Sequence, residues 1–552
     1  MKKHKISLRS HFLISTFVVV AILSSCKPKT NNDGKTVFKY NESAGIGTLD
    51  PAFARDQAVI WACNQLYNGL VQLDDSMNIT PSIAKSWEIT NNGTLYTFHL
   101  RNDVYFHQTQ FFAFSTPRKV IASDFVYSFN RILDPATASP GKWVFAVIDT
   151  NSLGKPDFKA LNDSTFSIKL SKTFPPFLGI LTMQYCSVVA REVVEKYGKD
   201  YRNHPVGTGP FQFKYWKEGV KLVLSKNPSY FEFYQNQRLP FLDAVAVTFI
   251  VDKQSVFMEF VKGNLDFQSG IDASYKDELL TSSGTLNPKY KNKFKLLTQP
   301  YLNTEYLGFL VDKTKSNPST NPLMKREVRQ AINYGFDRVK MIRFLRNNIG
   351  TAARSGIVPQ GLPSFDTTLV RGYSYQPQKA LDLLAKAGYP NGKGMPPITL
   401  SASASYLDLC QYIQHELSKI GIELKIEVNP PATQREMISQ SKLTFFRGSW
   451  IADYPDAENY LSLFYSKNFC PNGPNYCHYS NPNFDKFYEK SQNEVNDSLR
   501  YKIYQRMDSL LMEDAPVVVL YYDQVLRLVQ NNIDGLGNNA MNLLSLKKVR
   551  KH

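Results

Sequence analysis

TPSIAKSWEITNNGTLYTFHLRNDVYFH, residues 80–107, contains the runs SWEI and YTFHLR joined by Asn91-Asn92-Gly93. Alternation at every second position sets one side of a strand against a core, and an Asn-Asn-Gly link tolerates the backbone of a tight turn. The stretch therefore reads as two strands of a hairpin. The same period recurs at VFKY (37–40), TFSIKL (165–170), VKLVLS (220–225), AVAVTFI (244–250) and IELKIEV (422–428). Elsewhere the spacing is helical. Across 324–346, Met324, Val328, Ala331, Ile332, Val339, Ile342 and Leu345 share one face. A helix over 377–387 has Pro377 in its first turn and Gly388 past its end, and further helices are expected at 406–420 and across 484–513. The chain is of mixed α and β type, with no fixed-period repeat and no low-complexity block.

The N-terminus reads as an export signal. Lys2, Lys3, Lys5 and Arg9 precede an apolar run from Phe12 to Leu23, which is shorter than the roughly 20 residues of a permanent membrane helix. It ends in Leu23-Ser24-Ser25-Cys26, a sequence that resembles a bacterial lipobox. Cys26 would accept the lipid and become the new N-terminus, with the polar stretch KPKTNNDGK (27–35) as a solvated tether. An ordinary cleaved leader with an incidental cysteine is the alternative. The full chain carries 65 basic and 48 acidic side chains, a net +17, and loss of four basic leader residues leaves +13. These charges are dispersed, with no basic run and no zinc-finger spacing, so the balance speaks for solubility or attraction to anionic membranes and against nucleic acid.

Five cysteines follow Cys26: Cys63, Cys186, Cys410, Cys470 and Cys477. The loop PNGPNY between Cys470 and Cys477 can turn back on itself, and in an oxidising compartment a small loop-closing disulfide is expected there. No metal site is expected. Signatures of catalysis are missing as well. His415-Glu416 starts an HExx pattern but Lys419 stands where a zinc protease has its second histidine, and there is neither GxSxG nor a P-loop. Gly45-Ile-Gly47 and Gly207-Thr-Gly209 lack the third glycine of a dinucleotide loop and read as turns or close backbone approaches.

Seven stretches carry a family resemblance in order: GTLDPAFARDQAVIWACNQLYNGLVQLD (47–74), residues 80–107, SDFVYSFNRILDPATASP (123–140), VGTGPFQF (206–213), MKREVRQAINYGFDR (324–338), RGSWIADYPDAENYLSLFYS (447–466) and DAPVVVLYY (514–522). Together they resemble the family 5 bacterial extracellular solute-binding proteins, the dipeptide/oligopeptide type that serves ABC importers. The resemblance implies an α/β, two-lobed periplasmic-binding-protein type II fold with an additional domain, three domains in all, and a hinge between lobes. Carried over, lobe I comprises 37–67, 190–302 and 520–552, the extra domain on it 68–189, and lobe II 303–519, preceded by the leader 1–25 and the lipidated tether 26–36. No catalysis and no cofactor are implied. The implied partners are short peptides, the permease subunits of an importer with their cytoplasmic ATPases, and a membrane reached through the N-terminal lipid. The protein would act as a monomer in the periplasm or at the cell surface. The family also holds binders of oligosaccharides, nickel chelates and haem, so the ligand class stays open, and an exported hydrolase is the alternative from another class.

In peptide-binding members the aspartate of a Trp-x-Ala-Asp segment contacts the peptide α-ammonium; here that segment is Trp450-Ile451-Ala452-Asp453. The resemblance thus makes Asp453 the first binding residue, against the alternative that it caps a helix near Pro455. Trp450 would be a pocket wall or a core anchor. Arg447 would meet a peptide carboxylate or join a structural ion pair. Arg55 stands where some peptide binders have an acidic contact, and Asp408 near a position where they can have histidine. These reversed charges put length and terminus recognition in question. Ile451 replaces a residue that can be a disulfide cysteine in that group.

Overall fold

The computed structural model describes residues 34–112, 117–272, 274–317 and 319–552. The leader, Cys26 and most of the tether lie outside them. The alternating runs form strands at Val37–Asn41, Leu95–Leu100, Thr165–Lys169, Lys221–Lys226, Ala244–Thr248 and Leu424–Val428. Ala84–Thr90 pairs antiparallel with Leu95–Leu100, and Asn91, Asn92 and Gly93 between them all have positive φ, at 50°, 53° and 83°. This is the left-handed backbone that Asn and Gly adopt at least cost. The hairpin belongs to a four-stranded antiparallel sheet completed by Thr165–Lys169 and Phe158–Asn162. Helix Ala122–Leu133 lays Phe125 and Phe129 on that sheet, their ring centroids 5.7 and 5.6 Å from that of Phe166.

An eleven-stranded sheet organises the rest. One half contains Phe211–Lys217, Lys221–Lys226, Ala244–Thr248, Val37–Asn41 and Phe267–Ser269; the other contains Phe445–Ile451, Ile398–Ala402 and Leu424–Val428. Two long antiparallel strands, Phe294–Phe309 and Val517–Gln530, run through both halves. Their ladder slips between Pro300 and Thr304, facing Gln524 and Tyr522, and again between Glu305 and Tyr306. Extra residues on one strand of a pair bend it and increase its twist, so the slip divides the sheet between two lobes. The lobes have separate cores. Phe38, Trp61, Phe267 and Val529 share one, and Leu302, Tyr460, Phe484 and Tyr504 another.

Three expectations need correction. The helix expected over 324–346 is two, Arg326–Tyr334 and Arg338–Leu345. Asp337 turns its side chain back to accept from Val339 and Lys340 N–H at 2.9 and 3.1 Å, starting a new helix where the pattern suggested continuity. The span 484–513 is likewise divided into Pro482–Asn493 and Asp497–Asp514, the second capped by Asn496, which accepts from Leu499 N–H at 3.1 Å. Finally, Cys470 and Cys477 form no disulfide and are both free and buried. The loop does turn, but it directs Cys470 Sγ toward His478 at 3.3 Å and Cys477 Sγ toward the Pro516 carbonyl at 3.6 Å.

The two Gly-x-Gly pairs are backbone devices. Gly45 sits in a turn at φ 74°. A Cβ on Gly207 or Gly209 would come within 2.1 Å of Leu66 O or 2.4 Å of Gln65 O, so helix Gln57–Leu66 and this segment meet backbone to backbone.

Candidate ligand-binding site

Strand Phe445–Ile451 pairs with Phe294–Phe309 so that Trp450 faces Thr304 and Arg447 faces Leu307. Asp453 follows directly. Its position is set by Asn459, in the short helix Glu458–Leu461. The Asn459 side-chain oxygen accepts from Trp450 Nε1 at 2.8 Å and from Asp453 N–H at 3.1 Å, and its Nδ2 donates to Asp453 Oδ2 at 3.3 Å. One amide thus ties indole and carboxylate together. The helix-capping alternative goes to Asp456, whose carboxylate accepts from Glu458 N–H at 2.9 Å.

The Asp453 side chain is open to solvent. Desolvation by surrounding protein nevertheless raises its pKa, and the Asn459 bond offsets this in part. A carboxyl that water reaches and protein still desolvates lies on the wall of a cleft. Among the described residues no cation pairs with it. Burial pushes the Tyr185 hydroxyl up to about 12, with the charge of Asp453 adding to the effect and that of Arg55 opposing it. Asp453 and Trp450 are thus joined through Asn459, and the exposed Arg55 lies in the first lobe. Beside Asp453 the lobes touch. Tyr454 inserts into the first lobe's core, 6.3 Å from Trp143 between ring centroids, and Pro455 packs on Gly179.

Arg447 belongs to a neighbouring cluster. It pairs with buried Glu305, and its guanidinium carbon lies 3.4 Å from the centroid of Tyr406. Asn303 Nδ2 links Glu305 to Asp523 at 3.2 and 3.3 Å, and Asp523 pairs with Arg346 at 2.9 Å. Burial raises the pKa of Glu305, and Arg447 partly offsets it. Asp408 joins neither cluster. It is exposed in the first turn of helix Leu407–Ser418, where a negative charge suits the helix dipole.

A cavity of about 400 Å³ at the strand crossing is lined by Trp61, Gln268, Tyr301, Asp523 and Gln524 among others. Tyr460, in the second lobe's core, donates to Leu302 O at 2.7 Å. A groove of about 1220 Å³ carries Arg55 and Asp56 on the first lobe. Such an arrangement can hold a solute bearing a cationic group, since a desolvated carboxylate gains most from a partner that both neutralises it and donates hydrogen bonds.

Sequence reasoning missed Asn459, Glu305 and Tyr185. Asn459 lies inside the quoted Trp-x-Ala-Asp stretch, six residues past Asp453, and Glu305 is a lone charge in the apolar run YLNTEYLGF. Both signals were present. Tyr185 had none, because its role depends on the packing of one lobe against the other.

The architecture and its cleft define a two-lobed binding protein. A family model for bacterial extracellular solute-binding proteins, family 5 (middle), matches residues 78–469, and the chain belongs to that family. Heme-binding protein A of Haemophilus influenzae is 29% identical over 511 residues, covering 89% of this chain and 88% of its own length. The glutathione-binding protein GsiB of Escherichia coli O157:H7 is 24% identical over 530 residues, covering 95% of each. Among solved structures, HbpA2 from Haemophilus parasuis superposes with a TM-score of 0.78 at 21% identity, covering 94% of this chain and 100% of that one. The Helicobacter pylori periplasmic binding protein DppA, in complex with peptide STSA, gives 0.73 at 24% identity, covering 95% and 100%. The chain is thus a solute-binding protein that works outside the cytoplasm.

Proposed function

We propose that this chain is the peptide-binding component of an ABC importer, tethered to a membrane through lipid on Cys26. It closes its lobes around a short peptide and presents the closed form to the permease. Asp453 carries the reading: a desolvated carboxylate without a cationic partner among the described residues, fixed by Asn459, suits a peptide α-ammonium. Relatives named for glutathione and for a bound tetrapeptide support the same ligand class. Affinity would come from main-chain hydrogen bonds to an extended ligand, with hydrated pockets tolerating varied side chains. The ligand is held and released unchanged.

Native mass spectrometry of the mature protein, exported in a bacterial host and purified without denaturation, tests this. Released masses that sequence as peptides of two to several residues are expected. A haem, sugar or metal-chelate mass would overturn the ligand class and leave the binding fold intact.

A further inference from the structure

Away from the Asp453 cleft, in the second lobe, four side chains from distant parts of the chain meet. Asp312 Oδ2 lies 2.8 Å from His478 Nδ1, and His478 Nε2 lies 3.3 Å from Cys470 Sγ. Ser441 Oγ bridges the last two, 3.0 Å from Nε2 and 3.1 Å from Sγ. The ring of Phe469 stacks on His478, centroids 4.4 Å apart and planes 5° from parallel. His478 and Ser441 both hold left-handed backbone, at φ 48° and 55°, an uncommon conformation for residues other than glycine. None of these groups takes part in the ligand site.

The order of contacts assigns each group a task. The second oxygen of Asp312 accepts from Thr314 N–H and Oγ–H, both at 2.7 Å. Burial opposes the charge on this carboxyl, but the bonds from His478 and Thr314 outweigh it and hold its pKa below the ordinary value. A carboxylate so fixed accepts Nδ1–H from His478, which leaves Nε2 as the acceptor nitrogen, 3.0 Å from the Ser441 hydroxyl and 3.3 Å from the thiol, whose other acceptor is the Ile438 carbonyl at 3.7 Å. A proton that moves from Sγ to Nε2 finds the Cys470 carbonyl at 3.1 Å as a further acceptor. The sulfur left behind keeps the Ser441 hydroxyl as a donor. This is the arrangement of a base-activated sulfur nucleophile.

Among the described cysteines the imidazole contact is particular to Cys470: the hydrogen bonds given for Cys63, Cys186 and Cys477 run to backbone carbonyls, and desolvation drives the thiol pKa of Cys63, Cys186, Cys410 and Cys477 up. Cys470 is 4% exposed, beneath the partly exposed Ser441 and next to exposed Pro471 and Asn472. A metal is a poor match, because among the described residues no three His, Cys, Asp or Glu side chains gather in a metal-holding set.

We propose that Cys470, His478 and Asp312 form a reactive-thiol site for hydroperoxides. His478 Nε2 takes the thiol proton, and Sγ attacks the distal peroxide oxygen. The S–O bond forms as the O–O bond breaks, and the leaving hydroxide or alkoxide receives the proton from Nε2. Thiol and hydroperoxide become sulfenic acid and water or alcohol, the sulfur losing the two electrons that the peroxide gains. Cys470 is the nucleophile, and Asp312 is a positioning residue acting through the imidazole.

The test treats the purified mature protein with hydrogen peroxide and dimedone, a sulfenic-acid trap, and reads each cysteine peptide by mass spectrometry. Cys470 is expected to carry the adduct at least tenfold faster than Cys63, Cys186, Cys410 and Cys477. His478→Gln should lower that rate at least tenfold, and Asp312→Asn should lower the rate and alter its pH profile. Labelling of Cys470 no faster than the other thiols overturns the proposal. If His478→Gln fails to fold, Asp312→Asn decides, and an unaltered rate and pH profile in a variant with native thermal unfolding overturns it equally.

Discussion

Glu305 and Arg447 occupy the same face of two neighbouring strands, two register positions apart, and pair where little water reaches either, 4% and 15% of their side chains being exposed. Tyr406 covers the guanidinium from the other side. Removing one partner leaves the other charged and buried, so Glu305→Ala should cost about 3–5 kcal/mol of stability. Replacing both, as Glu305→Leu with Arg447→Met, should recover most of that loss. Urea unfolding of the single and double variants measures it, and additive losses would show that the pair is not coupled.

Asn459 is the hinge pin of the candidate site, holding Trp450 and Asp453 with a single amide. Asn459→Ala strands the Trp450 and Asp453 N–H donors, at about 1–3 kcal/mol for each one left without water. Peptide affinity should fall roughly tenfold or more, since the carboxylate loses its orientation. Calorimetry with a peptide recovered from the native protein checks this. Affinity equal to the parent's would mean that Asn459 serves the fold alone.

Binding should also depend on pH in a defined direction. Desolvation raises the Asp453 pKa in the empty protein, and an ammonium partner binds the ionised form, so protons compete with ligand. Affinity should decline as the pH falls through that raised pKa, by up to about tenfold per unit, and the decline should begin above the value of about 3.9 of a free aspartate. Asp453→Asn should bind weakly with little pH dependence. A parent titration that stays level down to pH 4 would count against the assignment.

Strand positions were legible in the sequence because burial of one strand face writes a period of two directly into residues such as Leu95–Leu100 and Lys221–Lys226. Helix breaks were less so. Asp337 and Asn496 start new helices inside continuous apolar patterns, since a side chain turned back to its own backbone leaves the hydrophobic spacing intact. The missing disulfide follows from the same limit: a loop sequence shows that Cys470 and Cys477 can approach, while the thiol directions are set by His478 and Pro516. At the site, Asp453 was reached through a family resemblance. Glu305 shows locally as a lone charge in an apolar run, but its pairing with Arg447 depends on strand register, which no local pattern encodes.

The buried Asp508 should govern how stability changes near neutrality. It lies on helix Asp497–Asp514 and accepts from Ile357 and Val358 N–H at 2.8 and 3.3 Å. Gly356 is pressed so close that a Cβ there would stand 2.0 Å from Asp508 Oδ1. Burial raises this carboxyl to about 7, the two backbone bonds opposing the shift. Below about pH 4 it is protonated in folded and unfolded chains alike. Between about 4 and 7 the unfolded chain ionises while the folded one does not, so the native state loses stability as pH rises, by about 4 kcal/mol in total, with no further loss above 7. Asp508→Asn imitates the neutral carboxyl at every pH. Its stability relative to the parent should therefore climb from pH 4 to pH 7 and then level off. Urea unfolding at pH 5, 6, 7 and 8 reads this directly, and a difference that stays constant across the series would show that Asp508 is ionised in the native protein throughout, its two backbone donors having overcome burial.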